Sequence, residues 1–556
     1  MWFLDSQDDG ASSFVSRFFS FSGVVMIALL ANVFRKGYHV RKKFRALKDQ
    51  GIPIMKHSMI LGHLEVIGKL VSSLPSDAHG DYLMMMIREN WRELFPQCTK
   101  CPPVVYIDTW PFTAPMVISL DLNVSTQFTT QHSLPKAHEQ KHVLYPLTKN
   151  RDLASMEGEE WKIWRKRLNP AFSIQNINSR MTDILEEVED FAAVLKSKAG
   201  QNGQWGDVFL FEKATTNLAL DVITRFFLSL MLMGSVYRNV RLNEQWGKNS
   251  SICYALQDTI PRLYFFVNIA NFFQYYNPWR QFKLWKNYKS LVDGLAPMIQ
   301  ERTSVLQKDP TVRGKTLVDL IVQALEEERA EQNGAANEEK HQPVLNFDAA
   351  TMEMAIGQIN TFLFAGFDTT AATLAWLFRL LCQYPDVMAK VREEHDAVLG
   401  PDAWDAANVL RENPQLVNQL PYTLAVLKES MRYHSNVGSM RRGEPGFFLV
   451  GPPGSDPSFE GKEMPTEGFI VWDGTWAIHR SSEFWHRPDE FLPERFLVTD
   501  HQDPLFPPPS GLRSFSSGPR NCVGQHLVIL EMKLVMALVA RCFDVDVAWE
   551  EWDRVK

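Results

Sequence analysis

The chain has 556 residues, so its length permits two to four ordinary domains or one large fold with a sizeable core. A hydrophobic content of 45% and a charged content of 22% are typical of a globular protein and exclude wholesale disorder. The formal net charge of -7 shows no basic excess, so we expect no nucleic-acid partner. Six cysteines are too few for a disulfide framework, which indicates a reducing compartment.

The first feature in chain order is an uncharged apolar segment at residues 18–34. At about 1.5 Å per residue it would span about 25 Å, close to the thin hydrocarbon core of the endoplasmic reticulum. Acidic residues precede it and the basic stretch RKGYHVRKKFR follows it, so the positive-inside rule leaves the long C-terminal part in the cytosol. A cleaved signal peptide is the alternative, but such a peptide carries its basic residues before the apolar run. The sequence therefore predicts a retained, single-pass anchor in the endoplasmic reticulum membrane.

This anchor divides the chain into four predicted regions. They are an N-terminal tail at 1–17, the transmembrane anchor at 18–34, a basic juxtamembrane linker at 35–50 and a single catalytic domain at 51–556.

Beyond the anchor, most of the chain spaces its apolar residues at three and four, which is typical of amphipathic helices. Short apolar segments bounded by Gly, Pro and Asp indicate strands of small sheets. We therefore predict a mainly α fold with small β-sheets (α+β). Helices are predicted at 162–172, 179–199, 315–331, 351–385 and 420–434, and strands at 103–109, 115–120, 446–451 and 468–474. A solvated loop is predicted at 331–344, and the aromatic stretch at 262–279 is interpreted as core or as a lid over a substrate channel.

The stretch FSSGPRNCVG, residues 515–524, places Cys522 in a constrained bend just before an apolar helix. The positive end of a helix dipole and its unpaired N–H groups stabilise a thiolate, so we expect a lowered pKa for Cys522 and good metal ligation. Gly518 and Gly524 let the backbone approach a flat, bulky group, and Arg520 can pair with a carboxylate on that group. A heme ligated by the thiolate, with Arg520 on a propionate, fits all of these features.

The full pattern F-x-x-G-x-R-x-C-x-G, which begins at Phe515, resembles the heme-binding loop of the cytochrome P450 superfamily. Three further segments resemble motifs of that family and occur in its order, so that the resemblance covers residues 50–550. They are WKIWR with Trp161 and Arg165, AGFDTT at 365–370, and LKESMR with Glu429 and Arg432 followed by PERF with Arg495.

The resemblance implies the cytochrome P450 fold and a heme-thiolate monooxygenase that carries heme b with Cys522 as the axial ligand of the iron. Asp368 and Thr369 are expected to deliver protons, while Gly366 is expected to leave room for a diatomic ligand. The resemblance places Trp161 and Arg165 near the heme propionates. A further propionate contact is assigned to Arg442, with its neighbour Arg441 left open, and a buried network on the proximal side is expected from Glu429, Arg432 and Arg495.

The expected partners are O2, an apolar small-molecule substrate, the lipid bilayer and an NADPH-dependent cytochrome reductase, because no flavin or nicotinamide domain is visible in the sequence. The layout resembles that of eukaryotic microsomal members, which suggests fungal secondary metabolism. Two alternatives remain: a heme-thiolate isomerase or dehydratase of the same fold, and a membrane-anchored heme-binding protein without catalysis. The presence of both Asp368 and Thr369 counts against each of them.

Overall fold

The structure is a computed structural model that describes residues 8–75, 78–228, 243–248, 250–263, 276–308, 316–332 and 348–555. The predictions made for the aromatic stretch at 262–279 and for the loop at 331–344 lie mostly outside the described residues.

The described part of the chain is mainly helical with small sheets, as the sequence predicts. Its α-helices are α1 Asp8–Asp49, α2 Leu64–Val71, α3 Tyr82–Glu89, α4 Trp91–Leu94, α5 Leu122–Thr126, α6 His138–Thr148, α7 Gly158–Leu168, α8 Ile174–Ser179, α9 Met181–Lys198, α10 Phe211–Leu228, α11 Ser251–Thr259, α12 Pro278–Lys308, α13 Leu317–Gln332, α14 Ala349–Gln383, α15 Pro385–Leu399, α16 Ala406–Glu412, α17 Pro421–Tyr433, α18 Thr475–His479, α19 Gln525–Val539 and α20 Trp549–Val555. The strands are β1 Val104–Ile107, β2 Met116–Ser119, β3 Met440–Arg442, β4 Phe448–Val450, β5 Glu463–Pro465 and β6 Ile470–Asp473.

The described residues form two compact units. The first unit consists of the described parts of 1–124 and 443–472 and contains β1, β2, β4, β5 and most of β6. In it β1 pairs antiparallel with β2, with Val104 opposite Ser119, and β6 lies on the other side of β2. A separate antiparallel pair joins β4 to β5. The side chains of β1 and β2 are buried on both faces, which explains their continuous apolar sequences.

The second unit consists of the described parts of 125–265, 270–442 and 473–556, and α14 lies in its core. Ile359, Leu363 and Phe367 of α14 are buried among residues of neighbouring helices. By length and composition α14 could cross a membrane, yet 56% of its most apolar window is buried in protein. This burial identifies α14 as the core helix of the unit.

The N-terminal helix α1 differs from the prediction, because the linker expected at 35–50 is helical through Asp49. Arg41, Phe44 and Leu47 recur at every third position on one side of α1 and are buried in the first unit. Arg41 there forms an ion pair with the buried carboxylate of Asp108. In the predicted anchor, by contrast, the described large apolar side chains are exposed, namely Met26, Ile27, Leu30, Val33 and Phe34.

Candidate functional site

The candidate site is built around the loop that carries Cys522 to the start of α19, and all of its residues belong to the second unit. The Cys522 amide donates to the carbonyl of Phe515 at 2.9 Å, which closes the loop upon itself. Gly518 has a φ of +77°, and a Cβ there would lie 2.1 Å from the carbonyl oxygen of Thr129. Only glycine therefore fits where the loop passes this neighbouring segment.

The Cys522 side chain is exposed to open space, although protein atoms surround it on its other sides. Burial raises the pKa of the Cys522 thiol, while the amides of Gly524 and Gln525 and the guanidinium of Arg165 partly oppose this rise by stabilising the thiolate. The lowered pKa expected from the sequence is thus wrong for the chain alone, because loss of solvation outweighs the helix-terminal amides. A bound metal ion would itself displace the proton.

Two arginines lie beside the cysteine loop. The guanidinium of Arg520 stacks 4.1 Å from the ring centre of Trp161, and its Nη1 donates to the carbonyl of Met156 at 2.9 Å. Arg520 also forms an ion pair with Glu157, the residue just before α7. Arg165, one turn after Trp161, donates to the side chain of Asn521 at 3.1 Å. The structure therefore brings together Trp161 and Arg165 of WKIWR and the loop that carries Cys522.

A third arginine reaches the same region from β3. The backbone of residues 440–442 pairs with that of residues 135–137, which places Arg441 opposite Lys136. Arg441 is fully buried, and its Nη1 donates to the carbonyl of Leu134 at 3.1 Å. Among the described residues, its Nε and Nη2 have no hydrogen-bond partner. Arg442 points elsewhere: its side chain is exposed and contacts the His138 ring at 2.9 Å.

The charges of this region do not balance. Burial, with Arg441 and Arg520 nearby, lowers the pKa of Lys136 to about 7. Burial likewise lowers the pKa of Arg441 to about 10. Glu157 faces these cations and also accepts from the Lys136 amide at 2.7 Å, and Asp473 is a second carboxylate near Arg441. The buried guanidinium of Arg441 still has unpaired N–H groups, which suit an anionic partner, and heme brings two propionates. The residues present therefore fit a heme.

On α14, the predicted catalytic residues lie in AGFDTT. A Cβ on Gly366 would lie 2.5 Å from the side chain of Ile223 on α10. Close packing of the two helices therefore accounts for this glycine, and its role in leaving room for a diatomic ligand stays a prediction. The Thr369 hydroxyl donates to the carbonyl of Ala365 at 2.8 Å, so its oxygen keeps lone pairs with which to accept a hydrogen bond.

Asp368, beside Thr369, is exposed at the surface of α14. Burial by the surrounding protein and the like charge of Glu212 on α10 raise the pKa of Asp368. A carboxyl group with a raised pKa exchanges protons nearer neutral pH, which suits proton transfer.

Asn436 holds the same part of α14 from outside the helix. Its amide nitrogen donates to the carbonyl of Thr369 at 3.1 Å and to the hydroxyl of Thr373 at 2.7 Å. The family pattern commonly has His-Pro-Pro after the E-x-x-R motif, whereas this chain has His434-Ser435-Asn436. A proline could not make these contacts, because it has no side-chain donor.

The third predicted group forms a buried ion network. Glu429 binds Arg432 through two parallel hydrogen bonds of 2.8 Å each and accepts from Arg495 at 3.1 Å. All three side chains are 0% exposed. Arg432 also donates to the carbonyls of His479 and Pro488. The network thus ties α17 to the segment that leads towards the cysteine loop.

Sequence reasoning missed four residues of this site: Lys136, Glu157, Glu212 and Asn436. Glu157 lies four positions before Trp161 and could have been suspected from that spacing. Asn436 could have been suspected because it replaces a proline of the family pattern. Lys136 and Glu212 carry no local signal, because only the folded chain brings them to the site.

Comparison with known proteins gives consistent matches. Residues 83–553 match the family model described as Cytochrome P450. The chain is 33% identical over 538 residues to "Cytochrome P450 monooxygenase polC" of Polytolypa hystricis, covering 95% of this chain and 87% of that protein. It is 27% identical over 505 residues to "Cytochrome P450 monooxygenase acrF" of Aspergillus aculeatus, covering 87% and 91%. The crystal structure of the cytochrome P450DA heme domain superimposes with a TM-score of 0.61 at 20% identity, covering 88% and 90%, which shows the fold.

Proposed function

The chain belongs to the cytochrome P450 family and is a cytochrome P450 monooxygenase, and from this we propose that it inserts one atom of O2 into an apolar small molecule by hydroxylation or epoxidation. One observation carries the proposal furthest. A cysteine thiol at the start of α19 is exposed, and the nearby buried Arg441 has two nitrogen atoms with no hydrogen-bond partner among the described residues. That combination suits an iron porphyrin with two carboxylate arms.

In this proposal the Cys522 thiolate would bind the iron of heme b. Arg520, Arg441 and Lys136 hold the propionates, with Arg165 and Trp161 beside them. Arg441 takes the role that the sequence had assigned to Arg442, because it is the buried arginine of the two. When bound, the heme supplies a thiolate-ligated iron at which O2 is reduced and its O–O bond is cleaved.

The protein's own groups control protons and position. The Thr369 oxygen would accept a hydrogen bond from the bound oxygen ligand. Asp368 would supply protons from solvent through its exposed carboxyl group. Glu212 supports this exchange by keeping the pKa of Asp368 raised. Asn436 holds the Thr369 carbonyl and so fixes this stretch of α14. The network of Glu429, Arg432 and Arg495 keeps the proximal segment in place.

We place the chain in the endoplasmic reticulum membrane, anchored by residues 18–34, with the rest in the cytosol and electrons supplied from NADPH by a membrane reductase. The continuous helix α1 and its exposed apolar side chains support an anchor. The fungal relatives support a role in fungal secondary metabolism.

The test is to compare metabolites of fungal cells with and without the chain, grown under ¹⁸O2. We expect a new product that carries one ¹⁸O atom and that requires both O2 and the reductase. A new product without ¹⁸O would overturn the proposal in favour of an isomerase or dehydratase. A membrane heme protein with no change in metabolites across apolar substrate classes would indicate a binding role.

The assignment of Arg441 can be tested against its neighbour. Arg441→Ala removes a buried charge-assisted contact to a propionate, which is worth about 1.5 to 3 kcal/mol, so heme release should become about 10 to 100 times faster. The rate is measured as heme transfer to excess apomyoglobin. Arg442→Ala is the matched control, because its side chain is exposed, and it should release heme at the wild-type rate. The reverse ranking of the two variants would restore the assignment to Arg442.

A further inference from the structure

Directly after the predicted anchor, α1 forms one wall of an open pocket in the first unit. The pocket has a volume of about 330 Å³. Its lining includes Arg35, Lys36, His39 and Lys43 of α1 and the indole of Trp110, which follows β1. The monooxygenase reaction makes no use of any of these residues.

Contacts within the unit hold the pocket in shape. A Cβ on Gly37 would lie 3.1 Å from the Trp110 ring, so α1 packs directly on the indole. The Lys43 ammonium donates to the carbonyl of Glu467 at 3.2 Å, on the opposite wall. One turn away, the buried pair of Arg41 and Asp108 joins α1 to the end of β1. The wall is therefore part of the packed unit and not a loose basic tail.

The lining is mainly apolar but includes cationic side chains, which suits an anionic amphiphile. Arg35, Lys36 and Lys43 bring three positive charges, and the residues that line the pocket include no carboxylate. The Trp110 ring and the aliphatic stems of the lysines supply apolar walls beneath the charged groups. An amphiphile with a phosphate group has a negative charge that can pair with the cations and an apolar part that can contact the apolar walls.

The position of the pocket along α1 indicates which class of anionic amphiphile could reach it. Arg35 and Lys36 follow the last apolar residue of the anchor, Phe34, and would lie where the hydrocarbon ends. Residues 35–43 rise about 12 Å along the helix, whereas one headgroup layer is about 5 to 8 Å thick, so the Arg35 end of the pocket would lie within that layer. The pocket would thus open at the level of the lipid phosphates.

We propose that this pocket binds the phosphate-bearing headgroup of one anionic membrane phospholipid. The inference rests on the proposed anchor, because it is the anchor that places the pocket at the membrane surface. The ligand is a lipid of the bilayer and not free phosphate, since the indole and the aliphatic stems contact the glycerol and upper acyl region. The site is separate from the cysteine loop, which belongs to the second unit.

The test uses the full-length holoprotein in a nonionic detergent with equal amounts of phosphatidic acid and phosphatidylcholine. Lipids retained per protein are counted by mass spectrometry. We expect about one retained phosphatidic acid per chain, with little phosphatidylcholine. Arg35→Gln with Lys36→Gln should weaken retention about 30-fold, because each cation near a headgroup contributes a factor of about five.

The matched control is Lys42→Gln with Arg45→Gln, which removes the same charge from exposed positions of α1 outside the pocket lining. It should retain phosphatidic acid within about threefold of the wild type. An equal loss of retained phosphatidic acid in both double variants would indicate non-specific attraction of the lipid to the basic helix, and it would overturn the proposal that the pocket binds the lipid. Equal retention of phosphatidylcholine, or displacement of the lipid by excess inorganic phosphate, would overturn the assigned ligand.

Failure of the underlying proposals would look different. Release of the protein from membranes by alkaline carbonate would refute the anchor, and loss of the thiolate-heme spectrum would refute the heme site. A membrane-retained holoprotein without selective lipid refutes the pocket alone.

Discussion

Cys522→Ala is expected to abolish the red-shifted Soret band that the reduced, carbon-monoxide-bound wild type should show. The band depends on a thiolate ligand to the iron, and no other residue of the loop from Phe515 to Gly524 offers a sulfur atom. The same variant should contain little heme, because the propionate contacts alone would have to retain it. The measurements are the difference spectrum and the heme-to-protein ratio of the purified membrane protein.

Cys101→Ala is the control for this experiment, since Cys101 is also a partly exposed cysteine but belongs to the first unit. Its spectrum should equal that of the wild type. Persistence of the red-shifted band in Cys522→Ala would refute the ligand assignment, and a wild-type spectrum typical of imidazole ligation would refute the family mechanism for this chain.

The second large effect is expected at Glu429. Glu429→Ala leaves Arg432 and Arg495 buried without their carboxylate, and breaking such a buried pair costs about 3 to 5 kcal/mol of the free energy of unfolding. That is a large part of the stability of an ordinary protein, which is about 5 to 15 kcal/mol. The yield of folded holoprotein should therefore fall steeply, as measured by heme content and by denaturant unfolding.

Glu159→Ala is a control with the same spacing, because Glu159 pairs with Lys162 three residues on at 2.6 Å but both side chains are exposed. An exposed pair contributes little, so stability should not change measurably. Where Glu429→Ala yields no protein, Glu429→Gln keeps the shape and tests the charge. A Glu429→Gln protein as stable as the wild type would show that the carboxylate charge is not needed.

The fold was predictable where local patterns are strong. The helix predicted at 351–385 is confirmed as α14, Ala349–Gln383. Apolar residues spaced at three and four over such a length are typical of a helix and of no other element. β5 was missed because its sequence, Glu463-Met464-Pro465, has no strand pattern and depends on its partner β4. The helical second half of α1 was missed because many basic residues obscure the apolar positions Phe44 and Leu47.

For the candidate site, too, some residues could be predicted from local sequence patterns and others could not. Cys522, Arg520 and the pair of Glu429 and Arg432 belong to short motifs, so these residues can be identified from the sequence. The contacts of Arg520 with Glu157 and Trp161 cannot, because those residues lie far away in the sequence. The position of Arg441 depends on the pairing of β3 with a segment far away in the sequence, and no local pattern distinguishes it from Arg442. The pKa of Cys522 was misjudged because the sequence shows the helix start but not the surrounding protein that removes water.

The unbroken course of α1 has a mechanical consequence for a protein tethered to a bilayer. A flexible linker would let the first unit rotate freely relative to the anchor. The continuous helix α1 is packed against that unit through Arg41, Phe44 and Leu47, so it fixes the orientation of the unit relative to the helix axis. With the proposed anchor in a membrane, the tilt of α1 would determine which side of that unit faces the bilayer and the apolar compounds dissolved in it.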